Sequence, residues 1–161
     1  MTEANHSADE LAALDSITRD IEIDASAEKV WALIVRPGWY VNEGTVEDPQ
    51  DLRYETDESG REITVLNHPK WGEFRFLTVA LEQPTYAAFR WLSRTDPTST
   101  AGTLVEFWIE QRDAGVTLRV KESGFSSLSD DPAVWLKERE GNDKGWLEEL
   151  AVAKSYVEDA G

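Results

Sequence analysis

The 161-residue chain contains no cysteine and only two histidines. Without cysteine it has no disulfide framework, no thiolate nucleophile and no thiolate metal site. No apolar run approaches the ~20 residues needed to span a bilayer. The acidic start of the sequence also lacks the basic segment and apolar block of a secretory signal. These absences predict a cytoplasmic protein that does not associate with membranes.

Positive charge is scarce as well, because 16 Lys and Arg stand against 32 Asp and Glu, a formal net charge of −16. Nucleic acid and anionic lipid are both bound through basic patches, so neither is a predicted partner. The sequence also has no phosphate-binding glycine loop, dinucleotide fingerprint, nucleophile elbow or His-Glu-x-x-His run. It therefore predicts no catalytic residue, no metal ligand and no cofactor, and favours a non-enzymatic protein.

The length fits one domain. Residues 1–15 show no convincing apolar face and are predicted to be a flexible acidic tail, with a single domain over residues 16–161. Alternating apolar and polar residues over 17–24 predict a strand with one wet face. A short helix capped by Ser26 follows and ends at Pro37-Gly38.

Beyond this helix the pattern predicts an antiparallel meander of six strands joined by short turns. The strands are expected at 51–56, 61–68, 73–82, 85–93, 103–111 and 116–123. A C-terminal helix with Pro132 in its first turn and one apolar stripe comes last, and Gly141 and Gly145 suggest a kink or break in it. The stripe consists of Trp146, Leu150, Ala153 and Val157.

A helix laid on one face of such a sheet leaves a space that commonly holds a ligand. Side chains on the predicted inner faces are the candidates to line it. They are Val30, Ile34, Trp39, Tyr40, Tyr54, His68, Arg75, Leu77, Val79, Phe89, Trp91, Phe107, Ile109, Val120, Glu122, Trp146 and Leu150.

Several candidates have two interpretations. Trp39 and Tyr40 either gate the cavity mouth or cap the edge of the core. His68 is a general base beside the pocket or, more simply, a solvent-exposed turn residue. Arg75 binds a ligand carboxylate or reaches solvent from a strand end. Glu122 is either a desolvated inward carboxylate with a raised pKa or half of an ion pair.

Four motifs in this order resemble those of the SRPBCC (START-like, helix-grip) superfamily. They are "EKVWAL" at 28–33, "PTYAAFRW" at 84–91, Gly124-Phe125 and Gly145-Trp146. Within the superfamily the chain is similar to the bacterial family named for homology to the activator of the heat-shock protein 90 ATPase. The resemblance implies an α+β helix-grip fold. In that fold a seven-stranded curved antiparallel sheet wraps around a long C-terminal helix, with short helices after the first strand.

The resemblance also implies a cavity for a hydrophobic small molecule but no single activity. The leading hypothesis is binding of such a molecule. The alternatives are a cyclase- or aromatase-type enzyme that uses polar cavity residues, and a chaperone-associated stress protein that acts through its surface. Trp108, on the opposite face of its strand from the core, either covers the sheet's outer side or marks a self-association patch of a homodimer.

Overall fold

The computed structural model describes residues 7–46, 49–93 and 102–159. Its elements in chain order are α1 (Ala8–Ala13), β1 (Ser16–Ile23), α2 (Ala27–Ile34), β2 (Leu52–Thr56), β3 (Glu62–His68), β4 (Gly72–Glu82), β5 (Tyr86–Leu92), β6 (Gly102–Gln111), β7 (Val116–Ser123), a 3-10 turn (Phe125–Ser127) and α3 (Pro132–Asp159). The predicted order of strand, short helix, six strands and long helix is confirmed.

The seven strands form one sheet in the order β1-β7-β6-β5-β4-β3-β2. Every neighbouring pair is antiparallel. Strands β2 to β7 follow one another across the sheet as a meander, and β1 lies at the far edge, paired with β7. Both edges of the sheet are therefore formed by the first two strands of the chain.

Helix α2 begins where the sequence predicts. The Ser26 side chain accepts a hydrogen bond from the Lys29 backbone N–H at 3.2 Å, which satisfies one of the free donors of the first turn. Val30 and Ile34 are fully buried one turn apart. This apolar stripe packs α2 against the sheet, where it contacts β6.

Helix α3 runs unbroken over 28 residues, so a break at Gly141 or Gly145, one form of the prediction, is wrong. The Asp131 side chain accepts from the Ala133 N–H at 3.0 Å and caps the start. The stripe that begins at Trp146 is buried as predicted. Packing of this stripe on the sheet outweighs the cost of about 1 kcal/mol for each glycine inside a helix.

The predicted inner faces of β5, β6 and β7 are confirmed, since Phe89, Phe107 and Val120 are each 0–1% exposed. The predicted face of β4 is wrong. Its buried inward residues are Phe74 and Phe76, members of the main core cluster. Both faces of β4 carry apolar side chains, so alternation alone does not choose between them.

Leu77 and Val79 were predicted on the inner face of β4 and lie elsewhere. Leu77 pairs with Ile63 and joins a separate small cluster on the other face of the sheet. Val79 sits at a register shift between Thr78 and Ala80 and is 49% exposed. A β-bulge of this kind inverts the inward–outward alternation from that point on.

The chain before β1 is described from Ser7 onward. Ser7 and Glu10 form a reciprocal capping box at the start of α1, and Leu11 and Leu14 pack partly against the core. Residues 1–6 lie outside the described part. That the segment 1–15 is a flexible tail remains a prediction.

None of the helices in the described residues is long and apolar enough to cross a membrane.

Candidate functional site

A pocket of about 260 Å³ lies at the end of the sheet where β3 turns into β4. Its wall combines the segment after α2, the start of β4, the end of β5 and one face of α3. The lining residues are Tyr40, Val41, Asn42, Trp71, Phe74, Trp91, Asn142, Gly145, Trp146 and Glu149. Trp71 at its rim is 40% exposed. The pocket is small compared with the ~300–1,000 Å³ typical of drug-sized ligands.

The segment after α2 reaches the pocket because of a sharp turn at Pro37-Gly38. Gly38 has a φ of +75°, and a Cβ at this position would lie 2.7 Å from Cε2 of Phe76. Only glycine combines this backbone conformation with such a close approach. The turn places Trp39 and Tyr40 in the interior.

Trp39 and Tyr40 lie in different environments. Trp39 is 1% exposed and packs on Tyr40 and Phe107, with ring centroids 5.6 and 5.8 Å away. It does not line the pocket. Of the two interpretations, burial therefore favours the core for Trp39, whereas Tyr40 forms part of the pocket wall.

Tyr40 makes the most ring contacts in the pocket wall. Its ring centroid lies 5.1 Å from that of Trp91 and 4.9 Å from that of Trp146, at interplanar angles of 62° and 55°. Among the described residues its hydroxyl is buried without a hydrogen-bond partner. Burial, with a smaller contribution from the negative charge of Glu122, raises the pKa of Tyr40 well above its usual range. Tyr40 is therefore a neutral, protonated phenol at physiological pH.

Behind the pocket, Glu122 is 1% exposed and organises a hydrogen-bond cluster. It accepts from Thr103 Oγ1 at 2.6 Å, from Trp146 Nε1 at 2.9 Å and from Asn142 Nδ2 at 3.0 Å. Burial raises the pKa of Glu122, and these three hydrogen bonds oppose that rise. The predicted inward carboxylate with a raised pKa is thus present, and it fixes two residues of the pocket wall.

At the pocket itself, Glu149 accepts a hydrogen bond from Asn42 Nδ2 at 2.7 Å. The same amide donates to the Trp39 carbonyl at 3.0 Å, which ties the segment after α2 to α3. Burial raises the pKa of Glu149 to about 7; the Asn42 hydrogen bond opposes this shift and the nearby Glu148 adds to it. Near neutral pH this carboxyl group exists in both protonation states.

Stability should consequently depend on pH through Glu149. Its pKa is about 7 in the folded chain against 4.5 ordinarily, so the folded state binds more protons between these values. Stability then falls as pH rises from about 4.5 to about 7.

We expect Glu149→Gln to flatten the dependence of Tm on pH over this window. Glu148→Gln, which removes an exposed charge from the neighbouring position, should leave most of the slope. Identical slopes in both variants would contradict the assignment.

The structure brings three predicted cavity residues together at the pocket: Tyr40, Trp91 and Trp146. Glu122 lies directly behind them. The other inward candidates are buried in the main core cluster and do not line the pocket. They are Val30, Ile34, Trp39, Phe89, Phe107, Ile109, Val120 and Leu150. In the described residues, side chains thus fill most of the space predicted to be a cavity.

Three further candidates lie apart from the pocket. Tyr54 is on the edge strand β2 and 62% exposed. Arg75 lies on the same face as Leu77 and donates to Glu55 at 3.0 Å. His68 is not in solvent, as the simpler interpretation held, but 2% exposed. Its ring stacks on Trp71 at 4.3 Å, and Nδ1 accepts from the backbone N–H of Lys70 and of Trp71. His68 thus shapes the turn that carries Trp71.

Sequence reasoning missed seven lining residues. They are Val41, Asn42, Trp71, Phe74, Asn142, Gly145 and Glu149. One signal was available, because Asn142, Trp146 and Glu149 follow a spacing of four and three residues that keeps side chains on one helix face. Asn142 and Glu149 are thus polar residues on the same face as Trp146. Polar residues beside an apolar helical stripe indicate a place where the core borders a polar pocket.

No group of three or more His, Asp or Glu side chains within 7–46, 49–93 and 102–159 could hold a metal ion.

The fold was compared with known proteins. No family model matches the sequence, and no curated protein matches it. Among solved structures, the Aha1 dimer from Colwellia psychrerythraea has a TM-score of 0.62 at 16% identity, over 88% of this chain and 95% of that one. Protein MLL2253 from Mesorhizobium loti has a TM-score of 0.63 at 18% identity, over 91% and 98%.

A Polyketide_cyc-like protein from Corynebacterium glutamicum has a TM-score of 0.57 at 17% identity, over 89% of this chain and 91% of that one. At these identities the likeness establishes the fold. Together with the seven-stranded antiparallel sheet, the long C-terminal helix and the short helix after β1, it confirms what the sequence motifs imply. The chain has an α+β helix-grip fold.

Proposed function

We propose that this protein binds a small, mainly apolar organic molecule in the pocket between α3 and the end of the sheet. The observation that supports this most directly is the lining, in which five of ten residues are aromatic. Side chains this large are ordinarily packed against one another, and here they surround open space. An aromatic wall with a few polar groups is the usual composition of a small-molecule site.

An enzyme of the cyclase or aromatase type is the second candidate. Asn42, Asn142 and Glu149 place two amides and a carboxyl group at the pocket. A carboxyl group with a pKa near 7 suits general acid–base catalysis at neutral pH. The Polyketide_cyc-like neighbour agrees with this candidate only at the level of the fold. Binding without chemistry requires fewer assumptions and is the function we favour.

The third candidate is a chaperone-associated role at the protein surface, which the sequence motifs suggest and with which the neighbour named Aha1 agrees at the level of the fold. That neighbour is a dimer, and self-association of this chain remains a prediction. Trp108 lies on the outer face of the sheet beside Tyr86, with ring centroids 5.4 Å apart, and would be part of such an interface. A cytoplasmic location is likewise a prediction, supported by the absence of cysteine.

Gly145 allows a direct test of the binding function. It lies on α3 at the pocket, and a Cβ added there would contact nothing within 4 Å. We expect the longer side chain of Gly145→Leu to occupy the pocket. Because leucine is a better helix former than glycine, stability should hold or rise by up to about 1 kcal/mol. Binding of a neutral apolar dye such as N-phenyl-1-naphthylamine, followed by fluorescence, should be lost.

Gly141→Leu is the matched control. Gly141 lies one turn earlier in the same helix, also with open space around it, and does not line the pocket. We expect this variant to bind the dye as the wild type does. Equal dye binding by all three proteins would overturn the proposed function. Native mass spectrometry of the freshly purified wild type would reveal a retained compound.

A further inference from the structure

The charge of the pocket indicates what kind of molecule it takes, provided that the proposed binding function holds. No Lys, Arg or His is among the ten lining residues. Glu149 lines the pocket, and Glu122 lies behind Trp146 and Asn142 at hydrogen-bond distance from both. The lining thus offers an anionic ligand carboxyl groups and no cation. The local electrostatics thus disfavour a carboxylate or phosphate ligand.

The arrangement of the aromatic rings also indicates which kind of ligand fits the pocket. Tyr40 meets Trp91 at 62° and Trp146 at 55°, so the walls stand at steep angles to one another. A flat ring is held best between parallel aromatic faces, whereas walls at steep angles surround a compact, rounded group. Aromatic faces carry negative potential and attract cations within about 6 Å of the ring centroid.

The rim already holds one ammonium group. Lys70 Nζ lies 5.9 Å from the Trp71 ring centroid and pairs with Glu43 at 3.2 Å. Neither Lys70 nor Glu43 lines the pocket itself. The chain therefore shows on its own surface the combination of aromatic ring and carboxylate that holds a cation, and the pocket repeats this combination with more rings and greater burial.

We propose that the ligand of this pocket is an organic cation with an alkylated ammonium head. Its methyl groups lie against Tyr40, Trp91 and Trp146, and its charge faces Glu149. A pocket of about 260 Å³ has room for such a head and a short apolar or aromatic body. Alkylated ammonium groups lose little hydrogen bonding on leaving water, and aromatic walls are their usual binding surface in proteins.

The test compares two probes of nearly the same shape that differ in charge. Trimethylphenylammonium carries a positive charge, and tert-butylbenzene is its neutral isostere. Binding to the full-length chain would be measured by calorimetry or by NMR shifts of the tryptophan indole N–H groups, at about 0.15 M salt to screen the general charge of the chain. We expect the cation to bind about tenfold tighter than the neutral probe.

Glu149→Gln should lower affinity for the cation about fivefold and change affinity for the neutral probe much less. Glu148→Gln removes the same charge from an adjacent exposed position and is the matched control, with affinity for the cation nearly unchanged. For the wild type, affinity for the cation should rise with pH through about 7 as Glu149 ionises. The ionisable groups near Glu149 and its pocket include Tyr40, Glu122 and Glu148, with Glu43, Lys70 and His68 around Trp71 at the rim.

Equal affinity for the two probes, or no change in Glu149→Gln, would overturn the cation proposal while the binding function stood. Failure of both probes, together with dye binding that Gly145→Leu does not alter, would overturn the binding function itself. The two proposals are therefore tested separately.

Discussion

Trp39→Ala should lower the free energy of unfolding by about 3–5 kcal/mol, enough to unfold much of the protein at ordinary temperature. The side chain is 1% exposed and packs between Tyr40 and Phe107. Alanine would leave a large cavity that Tyr40 and Phe107 cannot fill, because both rings are also packed against Trp146. Denaturation in urea, followed by circular dichroism, measures the loss.

Trp71→Ala is the comparison that separates core from pocket rim. Trp71 is the same residue type but 40% exposed, so its removal should cost less than about 1.5 kcal/mol while it weakens dye binding. The sequence placed Trp39 at the cavity mouth as one of two interpretations, whereas in the structure the exposed tryptophan at the pocket is Trp71. A loss under 1 kcal/mol for Trp39→Ala, or equal losses for both variants, would contradict the assignment.

Glu122→Ala should be nearly as severe, with an expected loss of about 3 kcal/mol or more. The change leaves the donors of Thr103, Asn142 and Trp146 without their acceptor, and each buried unsatisfied donor costs about 1–3 kcal/mol. A cavity adds to this cost. Dye binding should weaken as well, because Asn142 and Trp146 lose the group that positions them in the pocket wall.

Glu122→Gln distinguishes the role of the charge from that of the hydrogen bonds. Glutamine keeps the volume and one acceptor oxygen and removes the desolvated carboxyl group. Since the folded pKa of Glu122 lies above its ordinary value, the carboxyl group destabilises the fold as pH rises through this interval. We expect Glu122→Gln to be much milder than Glu122→Ala and to lessen the loss of stability at higher pH. Because glutamine keeps the shape and one acceptor oxygen, equal damage by both substitutions would show that the cluster requires the negative charge of Glu122.

Most of the fold could be predicted from local patterns. Period-two alternation located every strand, and the Ser26 cap and the α3 stripe located both main helices, because one buried face imposes its period on each element. The pattern fails at β4, where Phe76 and Leu77 both find a buried environment on opposite faces of the sheet. It also fails at Gly141 and Gly145, where tertiary packing holds a helix that propensity alone would break.

The site was less predictable, because a pocket depends on which side chains leave space unfilled. Trp91 and Trp146 were identified from their faces and Tyr40 from its place after the helix stop, but Phe89 and Phe107 on the predicted inner faces are core. Glu149 and Asn42 meet across 107 positions in the sequence, a distance that no local pattern spans. The burial of Glu149 and its raised pKa arise only in the folded chain, where that contact forms.

One face of α3 both anchors the sheet and forms a pocket wall, since Trp146 is a member of the main core and a lining residue at once. Occupancy of the pocket and integrity of the fold are consequently linked by mass action. A compound that binds only the native chain adds about 2.7 kcal/mol to its stability at a free concentration of 100 times Kd. Thermal melting in the presence of a metabolite library, with Gly145→Leu screened in parallel, can therefore identify the physiological ligand without any assay for its chemistry.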